Sequence, residues 1–417
     1  MPDAGVAGYL FGFQNAGVAA PARSDGCRHM PRFGYSSTTI SRGLHMYVID
    51  PKDLQVLFKV LSNRGFQLVG PTVRDGAIVY DTVTSVDDLP KGWTDTQEPA
   101  SYSIQHTGDE AYFNFVVSPH SWKKFLYPPR VKLFSAVKTG KGFEVSSPDG
   151  EQPRYAFIGV RACELQAIAV QDKVFIDGQY ADPTYMARRQ GIFVVAVNCV
   201  RPGGNCFCVS MQTGPKAENG FDLALTEIVG DATHYFVVEA GSEQGRSVLA
   251  ELPTRPVEPA ERDRAAEAMK AAAANMGKSL NTDNINHVLN ENLEHPQWDD
   301  VAKRCLACAN CTLVCPTCFC STVEDMTDLS GSRAERWRRW DSCFTTDFSK
   351  IAGGNIRMST RTRYRQWMTH KLGHWIDQFG TSGCVGCGRC ITWCPVGIDI
   401  TSEARVIRET GVHSSTG

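Results

Sequence analysis

Two short runs of consecutive apolar residues, 155–160 and 191–197, lie in the middle of the chain and are typical of fully buried strands. Between them, the apolar positions of residues 162–175 recur at helical spacing, and a second short helix is predicted to begin at Asp182, before a proline. The order strand, helix, strand predicts a right-handed parallel crossover. Ligand sites in such sheets lie beyond the carboxyl ends of the strands. The residues that follow the two runs are therefore candidates for a site.

The rest of the chain carries shorter patterned segments on both sides of this unit. The predicted elements are helices at 52–63, 261–276 and 281–294, strands at 66–69 and 77–80, and a turn-rich segment between those strands at 70–76. Short strands with Pro/Gly turns continue to residue 150, and residues 221–252 again show strand and helix signals.

This pattern predicts a multidomain protein of the α/β plus α class. Its parts are a disordered or loosely attached extension, 1–45, an N-terminal α/β domain with the parallel βαβ unit, 46–255, a helical linker, 256–300, and a C-terminal domain, 301–417. The extension is rich in Gly, Ala and Ser and has little periodicity. Met46 opens the first patterned segment, and the sequence leaves open whether translation starts there.

Composition limits the classes of partner. The net charge is −2, so no bulk attraction to nucleic acid or membrane is expected. No apolar run approaches the roughly 20 residues of a membrane helix, and the N-terminus lacks the basic region of a signal peptide. The chain has 16 cysteines, whose clustered spacing fits metal ligation in a reducing compartment better than a disulfide framework. We therefore predict a cytoplasmic, metal-binding protein.

The cysteines near the C-terminus form two matching runs, residues 305–316 and 384–395. Each run has the spacing C-x2-C-x2-C-x3-C-P, which is that of a ferredoxin with two [4Fe-4S] clusters. The small residues between the cysteines leave room for backbone N–H groups near a cluster, and glycine also permits a positive φ. The alternative is a pair of zinc knuckles, but zinc sites usually pair two C-x2-C units.

In a two-cluster ferredoxin, the fourth cysteine of each run binds the cluster of the other run. The first predicted cluster therefore has the ligands Cys305, Cys308, Cys311 and Cys394. The second predicted cluster has the ligands Cys384, Cys387, Cys390 and Cys315.

Four more cysteines follow the two apolar strands of the central unit. Cys163 lies at the start of the predicted helix, where the helix dipole favours a thiolate, and Cys199 follows the second strand. Cys206 and Cys208 lie in the loop after it. The topology brings these four to one edge of the sheet, so they are candidates for a third [4Fe-4S] cluster. A zinc ion or four buried apolar cysteines are the alternatives.

Between Cys315 and Cys384 lie 68 residues, many more than in a small bacterial ferredoxin. The insert is compatible with helices and predicts the helical type of dicluster ferredoxin. It contains basic, aromatic stretches at 333–340 and 357–367. We interpret these as a cluster neighbourhood or partner surface and not as a nucleic-acid site, because the net charge is negative. Cys318, Cys320 and Cys343 also lie here; the sequence leaves open whether they are ligands or neighbouring thiols.

The sequence contains neither a G-x-G-x-x-G after a strand nor a Walker loop, so no nicotinamide or flavin site is predicted in this chain. No constellation of residues for proton transfer or nucleophilic attack is predicted either. Electrons are therefore expected to pass through this polypeptide and not to be exchanged here with a nicotinamide.

Several longer motifs resemble one known family. They are GPTVRDGAIVY at 70–80, DLPKGWTD at 88–95, GVRACEL at 159–165, CFC at 206–208, CPTCFC at 315–320 and WDSC at 340–343. These motifs resemble the beta subunit of cytoplasmic NADP-linked [NiFe] hydrogenases, also called sulfhydrogenases. This type of protein is similar to the corresponding iron–sulfur component of anaerobic sulfite reductase. The resemblance extends from about residue 46 to about residue 410.

The resemblance implies a non-catalytic electron-transfer subunit. Its expected partners are a flavin subunit that binds NAD(P)H and the small and large subunits of a [NiFe] hydrogenase. The expected cofactors are three [4Fe-4S] clusters held by the cysteines named above. One alternative function is that of the equivalent component of an anaerobic sulfite reductase, and a more distant one is an iron–sulfur nucleic-acid-binding protein.

Overall fold

The structure, a computed structural model, describes residues 46–116, 118–147, 152–230 and 233–412. The predicted extension at 1–45, which includes Cys27, lies outside the described residues. All described residues belong to one compact unit. Among them, no helix is both long and apolar enough to span a bilayer.

The strands and helices are named here in chain order. The strands are β1 Met46–Ile49, β2 Gln67–Arg74, β3 Ala77–Thr82, β4 Trp93–Glu98, β5 Ser101–His106, β6 Arg130–Thr139, β7 Gly142–Ser146, β8 Tyr155–Val160, β9 Phe193–Val197, β10 Leu223–Gly230, β11 Thr233–Ala240, β12 Arg255–Pro256, β13 Ser321–Thr327, β14 Arg333–Trp340, β15 Lys350–Ile351 and β16 Gly354–Asn355. The helices are α1 Leu54–Asn63, α2 Lys123–Leu126, α3 Ala162–Phe175, α4 Pro183–Arg189, α5 Glu243–Leu249, α6 Pro259–Ala274, α7 Ile285–Glu291, α8 Gln297–Arg304, α9 Asn310–Leu313, α10 Thr360–Thr369, α11 Trp375–Phe379, α12 Arg389–Thr392 and α13 Ile400–Thr410. Short 3₁₀ turns occur at Pro51–Asp53, Val86–Asp88 and Asp347–Ser349, and a π-helical turn at His370–His374.

The N-terminal part is built on an eight-stranded sheet with the order β12-β1-β11-β10-β9-β8-β2-β3. Its central strands, β2, β8, β9 and β10, are parallel, and both edges are antiparallel. Every residue of β8 and β9 is buried, because apolar clusters cover both faces of the sheet. One cluster contains the buried face of α1, and the other contains the buried residues of α3.

The predicted parallel crossover is confirmed. β8 and β9 are parallel neighbours, α3 spans the predicted 162–175, and α4 begins after Asp182, whose side chain accepts a hydrogen bond from the backbone N–H of Tyr185. The carboxyl ends of β8 and β9 therefore lie side by side, as the sequence predicted. The predicted turn at 70–76 is wrong in its first part, because β2 continues through residue 74 and pairs with β3. Pro71 is accommodated there although proline usually weakens a strand.

The prediction that the insert between the cysteine runs is helical is wrong for its first half. β13 and β14 form an antiparallel hairpin that joins β6 and β7 in a four-stranded sheet, β13-β14-β6-β7. Tertiary pairing determines this, because β14 pairs with β6, a strand from nearly 200 residues earlier in the chain. The second half of the insert does contain a helix, α10.

Six of the eight arginines in the two basic stretches of the insert are paired with carboxylates. The pairs are Arg333–Glu335, Arg336–Asp325, Arg338–Asp182, Arg339–Glu324, Arg361–Glu294 and Arg365–Glu294. Arg130 and Arg338 also stack on the rings of Trp337 and Tyr127, at 4.2 Å from each ring centroid. These stretches therefore present little unpaired positive charge, which does not favour the nucleic-acid alternative.

The C-terminal part is mainly helical around a third apolar cluster. Its buried residues come from α7, α8, α10, α12 and α13, with Trp298 and Met368 fully enclosed. The cysteine runs lie at the edge of this cluster, and several of their thiols pack directly against it. The helices therefore form an apolar surface against which the cysteines pack.

Candidate iron–sulfur centres

The two cysteine runs have the same backbone conformation. Ala307 and Ala309 have φ values of 52° and 69°, and Gly386 and Gly388, at the equivalent positions, have 65° and 75°. The left-handed conformation is unfavourable for alanine, so its presence at both positions shows that the loop geometry is imposed by the fold. In each run the loop wraps the first three cysteines around one centre.

The second run needs glycine for an additional reason. A Cβ on Gly386 would lie 2.6 Å from the backbone of Phe207, and one on Gly388 would lie 2.4 Å from the carbonyl oxygen of Asn205. The loop around Cys206 therefore packs directly on the second run. The Phe207 N–H also donates to the Gly386 carbonyl at 2.8 Å.

Each run continues into a single helical turn, α9 or α12, and these turns pack against each other. Asn310 at the start of α9 donates to the carbonyl oxygen of Trp393, just after α12, at 3.2 Å. The fourth cysteine of each run, Cys315 or Cys394, follows its turn and so reaches the side of the other run.

Two cavities each include the fourth cysteine of the other run in their lining. The cysteines that line the first cavity are Cys305, Cys308, Cys311, Cys390 and Cys394. The cysteines that line the second are Cys315, Cys384, Cys387 and Cys390. Each cavity therefore contains the four cysteines that the crossed assignment groups together, and Cys390 lies between the two.

Backbone N–H groups point at the thiols of both cavities. The N–H groups of Ala307, Gly386 and Ile398 lie 3.4, 3.5 and 3.3 Å from the sulfurs of Cys305, Cys384 and Cys394. Hydrogen bonds to sulfur stabilise the more negative state of an iron–sulfur cluster and are one way in which a protein sets the potential.

Burial raises the pKa of most of these thiols, for example that of Cys384 to about 12. Without a metal they would stay protonated, and metal binding would release the protons. Cys315 differs: a hydrogen bond from Cys318 and the nearby Lys371 ammonium hold its pKa well below the usual range.

Lys371 is a buried cation that the sequence analysis missed. Its Nζ donates to the Cys315 sulfur at 3.2 Å, to the Thr317 hydroxyl at 3.0 Å and to the Gly383 carbonyl at 3.2 Å. The π-helical turn His370–His374 presents it, and such turns often occur at functional sites. Among the described ion pairs, none joins Lys371 to a carboxylate. A buried charge needs a partner, and the partner of the Lys371 ammonium is the Cys315 sulfur.

The four N-terminal cysteines come together at the carboxyl ends of β8 and β9, as predicted. The thiols of Cys163, Cys199 and Cys208 influence one another electrostatically, and Cys206 is close to Cys199. Cys163, Cys206 and Cys208 are buried and Cys199 is partly exposed. Burial raises the pKa of all four thiols, that of Cys206 to about 12. Burial and the neighbouring Cys208 thiol raise the pKa of Cys163 well above its usual value. Cys387 of the second run is a common neighbour of Cys163, Cys206 and Cys208.

A buried ion pair connects the N-terminal cysteines with the second run. Glu164 follows Cys163, Arg389 lies between Cys387 and Cys390, and both side chains are only 1% exposed. Glu164 also accepts hydrogen bonds from the Tyr80 hydroxyl at 2.9 Å and the Trp122 ring N–H at 3.0 Å. The sequence analysis did not identify this pair, although the charged Arg389 inside the second cysteine run could have indicated a buried partner.

The remaining cysteines of the insert lie close to ligand cysteines or to one another. Cys318 and Cys315 shift each other's pKa, and so do Cys320 and Cys343. Cys343 is close to Cys311 of the first cavity. All three are partly exposed as residues.

The donor sets fit iron–sulfur clusters. A [4Fe-4S] cluster takes one thiolate on each of four irons, so its ligands surround a volume. Five cysteines line the first C-terminal cavity and four line the second, and backbone N–H groups and Lys371 supply positive charge around an anionic group. Among the described residues, no three His, Cys, Asp or Glu side chains converge tightly enough to hold a single metal ion.

Comparison with known proteins supports the two C-terminal centres. A profile of the 4Fe-4S dicluster domain matches residues 304–398, which contain both cysteine runs. The chain is 31% identical over 346 residues to Sulfhydrogenase 2 subunit beta of Pyrococcus furiosus, an alignment that covers 82% of this chain and 92% of that protein. No solved structure matches the chain significantly. We conclude that the chain belongs to the family of sulfhydrogenase beta subunits and is an iron–sulfur electron-transfer protein.

Proposed function

We propose that the chain is a three-cluster electron relay. The crossed ligand sets of the two C-terminal clusters and the set Cys163, Cys199, Cys206 and Cys208 would each hold one [4Fe-4S] cluster. Such clusters supply one-electron transfer at potentials that their surroundings set. In this proposal the catalytic site of the complex lies on a partner and not on this chain.

One observation carries the proposal: the three ligand sets are neighbours in a row. Cys387 of the second set is adjacent to Cys163, Cys206 and Cys208 of the N-terminal set. Cys390 of the second set is adjacent to Cys311 of the first. The order is therefore N-terminal set, second set, first set.

The two ends of the row differ in exposure. Cys308 of the first set is exposed, and its neighbour Leu306 is 64% exposed, so this end is open to a partner. The N-terminal set at the other end is more enclosed, with Cys163, Cys206 and Cys208 buried. We assign the first set to the exchange of electrons with another protein of the complex.

The proposed partners are a flavin subunit that binds NAD(P)H and the small and large subunits of a [NiFe] hydrogenase. The absence of a dinucleotide-binding motif from the sequence supports a separate flavin subunit. The free thiols of all the described cysteines fit a reducing compartment, and we place the complex in the cytoplasm.

Anaerobic purification of the tagged chain from its native host tests the partners. We expect a flavoprotein and a nickel-containing large subunit to co-purify, identified by mass spectrometry together with nickel and flavin content. Co-purification of a sirohaem protein instead would contradict the hydrogenase assignment and favour the sulfite reductase alternative. DNA retention that is lost at high salt would favour the nucleic-acid alternative.

A further inference from the structure

The thiols of Cys320 and Cys343 form a close pair outside the three proposed ligand sets. The two thiols influence each other strongly: the Cys343 thiol lowers the pKa of Cys320 to about 7, and the pKa of Cys343 is raised. Disulfide bonds need Cα atoms about 4.4–6.8 Å apart, so the backbone around the pair decides whether the two sulfurs can be bonded.

The β13–β14 hairpin imposes this approach. Cys320 immediately precedes β13, and Cys343 lies just beyond the end of β14. The Asp341 N–H donates to the Cys320 carbonyl at 2.9 Å, and Ser321 pairs with Trp340, so the base of the hairpin is closed at these cysteines. A bond between the two sulfurs would therefore extend a closure that the backbone already makes.

Two buried ammonium groups flank the pair. Lys123 and Lys371 are 4% and 5% exposed, and both act electrostatically on Cys320. Lys123 donates to the carbonyl oxygens of Cys318 and Leu313 at 3.1 and 3.4 Å. Among the described ion pairs, none gives either lysine a carboxylate partner. Cations next to a cysteine favour the thiolate, which is the form that reacts with a disulfide.

The pair lies close to both C-terminal ligand sets. Cys343 is close to Cys311 of the first set, and Lys371, which acts on Cys320, donates directly to Cys315 of the second set. Both residues are partly exposed. Neither is needed as a ligand, because the two sets already contain eight cysteines.

We propose that Cys320 and Cys343 are a redox-active dithiol–disulfide pair, which stores two electrons beside the one-electron centres. On reduction the S–S bond breaks, and two electrons and two protons give two thiols; on oxidation the S–S bond forms and the same electrons and protons leave. The electrons come one at a time from the low-potential carriers of the proposed relay. In this respect the inference rests on the proposed function.

The first test uses the intact chain with its clusters, held anaerobically in dithiothreitol redox buffers of graded potential. Free thiols are blocked with N-ethylmaleimide, and peptides are analysed by mass spectrometry. We expect a peptide linking Cys320 to Cys343 in the oxidised buffers, which disappears on reduction with the slope of a two-electron couple, near 30 mV for each tenfold change. Alkylation of both cysteines across the whole range would overturn the proposal.

The second test compares variants of the reconstituted chain by anaerobic electron counting. Cys343→Ser and Cys320→Ser should each accept two fewer electrons per chain than the wild type, with an unchanged iron content. Cys318→Ser, which keeps the pair, should accept the same number as the wild type.

The possible outcomes distinguish the proposed Cys320–Cys343 pair from the proposed electron relay. Loss of about four irons from Cys343→Ser would show that Cys343 is a cluster ligand and would overturn the pair. A wild-type chain that forms the linked peptide but contains no iron would contradict the relay and leave the dithiol pair standing. Intact clusters without the linked peptide would leave the relay standing and overturn the dithiol pair.

Discussion

At the scale of single residues, Lys371 is expected to set the potential of the second cluster. Its ammonium is buried, and Nζ lies 3.2 Å from the sulfur of Cys315. Sulfur-bound clusters are anionic, and reduction adds a further negative charge, so a fixed cation stabilises the reduced state more than the oxidised state. Two unit charges about 4 Å apart interact by about 4 kcal/mol at an effective dielectric constant of about 20.

We therefore predict that Lys371→Met lowers the midpoint potential of the second cluster. The expected fall is roughly 60–170 mV, since about 59 mV corresponds to a tenfold change in a one-electron couple. A redox titration followed by electron paramagnetic resonance measures it. Lys371→Arg, which keeps the charge, should shift the potential less, and an equal shift in both variants would show that the charge is not the cause.

The Glu164–Arg389 pair is a second determinant at this scale. We predict that Glu164→Gln lowers the free energy of unfolding by about 3–5 kcal/mol, because it leaves the Arg389 guanidinium charged, buried and without its carboxylate. Thermal unfolding of the anaerobic, cluster-containing chain is the measurement. The matched control is Glu243→Gln, which breaks an exposed pair with Arg246 and should change stability by less than about 0.5 kcal/mol.

A further variant separates charge from packing. Glu164→Gln combined with Arg389→Gln removes both charges, so it should recover part of the loss caused by Glu164→Gln alone. If the double variant is less stable than the single one by the full cost of a second substitution, the two residues are not coupled.

At the scale of elements, the paired turns α9 and α12 are the basis of the proposed exchange of fourth ligands between the two clusters. We predict that Cys394→Ser changes the same electron paramagnetic resonance signal as Cys305→Ser, although Cys394 is adjacent in sequence to the other run. The reason is that α12 ends on the side of the first cavity, where Cys394 joins Cys305, Cys308 and Cys311. A spectrum of Cys394→Ser that matches that of Cys384→Ser would mean that each run holds its own cluster.

The elements also show where sequence patterns are reliable. α3 was predicted with its observed bounds, because its apolar spacing is local and its ends follow strand and loop signals. The hairpin β13–β14 was missed, because residues 333–340 alternate weakly and become a strand only by pairing with β6. Local propensity cannot reveal a partner strand so far away in the chain.

At the scale of the whole molecule, the number of clusters follows from three groups of four cysteines. We predict that the anaerobically reconstituted chain binds about twelve irons and about twelve sulfides, three clusters of four. Iron and acid-labile sulfide analysis with visible absorption is the measurement. An iron content near eight per chain would contradict the N-terminal cluster. If that cluster is present, Cys206→Ser should lower the iron content by about four relative to the wild type.

The sequence alone determined the features that depend on local spacing. The two cysteine runs predicted their clusters and the exchange of the fourth ligands, since a compact cluster restricts how closely spaced thiolates can wrap around it. The apolar strands placed Cys163 and Cys199 at one sheet edge, because parallel strands end on the same side. Neither inference required knowledge of distant contacts.

The tertiary structure alone decided how these groups meet. It placed Cys387 beside the N-terminal cysteines, buried Glu164 against Arg389, and brought Lys371 to Cys315 across 56 residues of chain. It also paired Cys320 with Cys343 at the base of a hairpin that the sequence pattern did not predict. These contacts arise from packing and charge pairing between distant segments, and no local pattern encodes which distant segment becomes a neighbour.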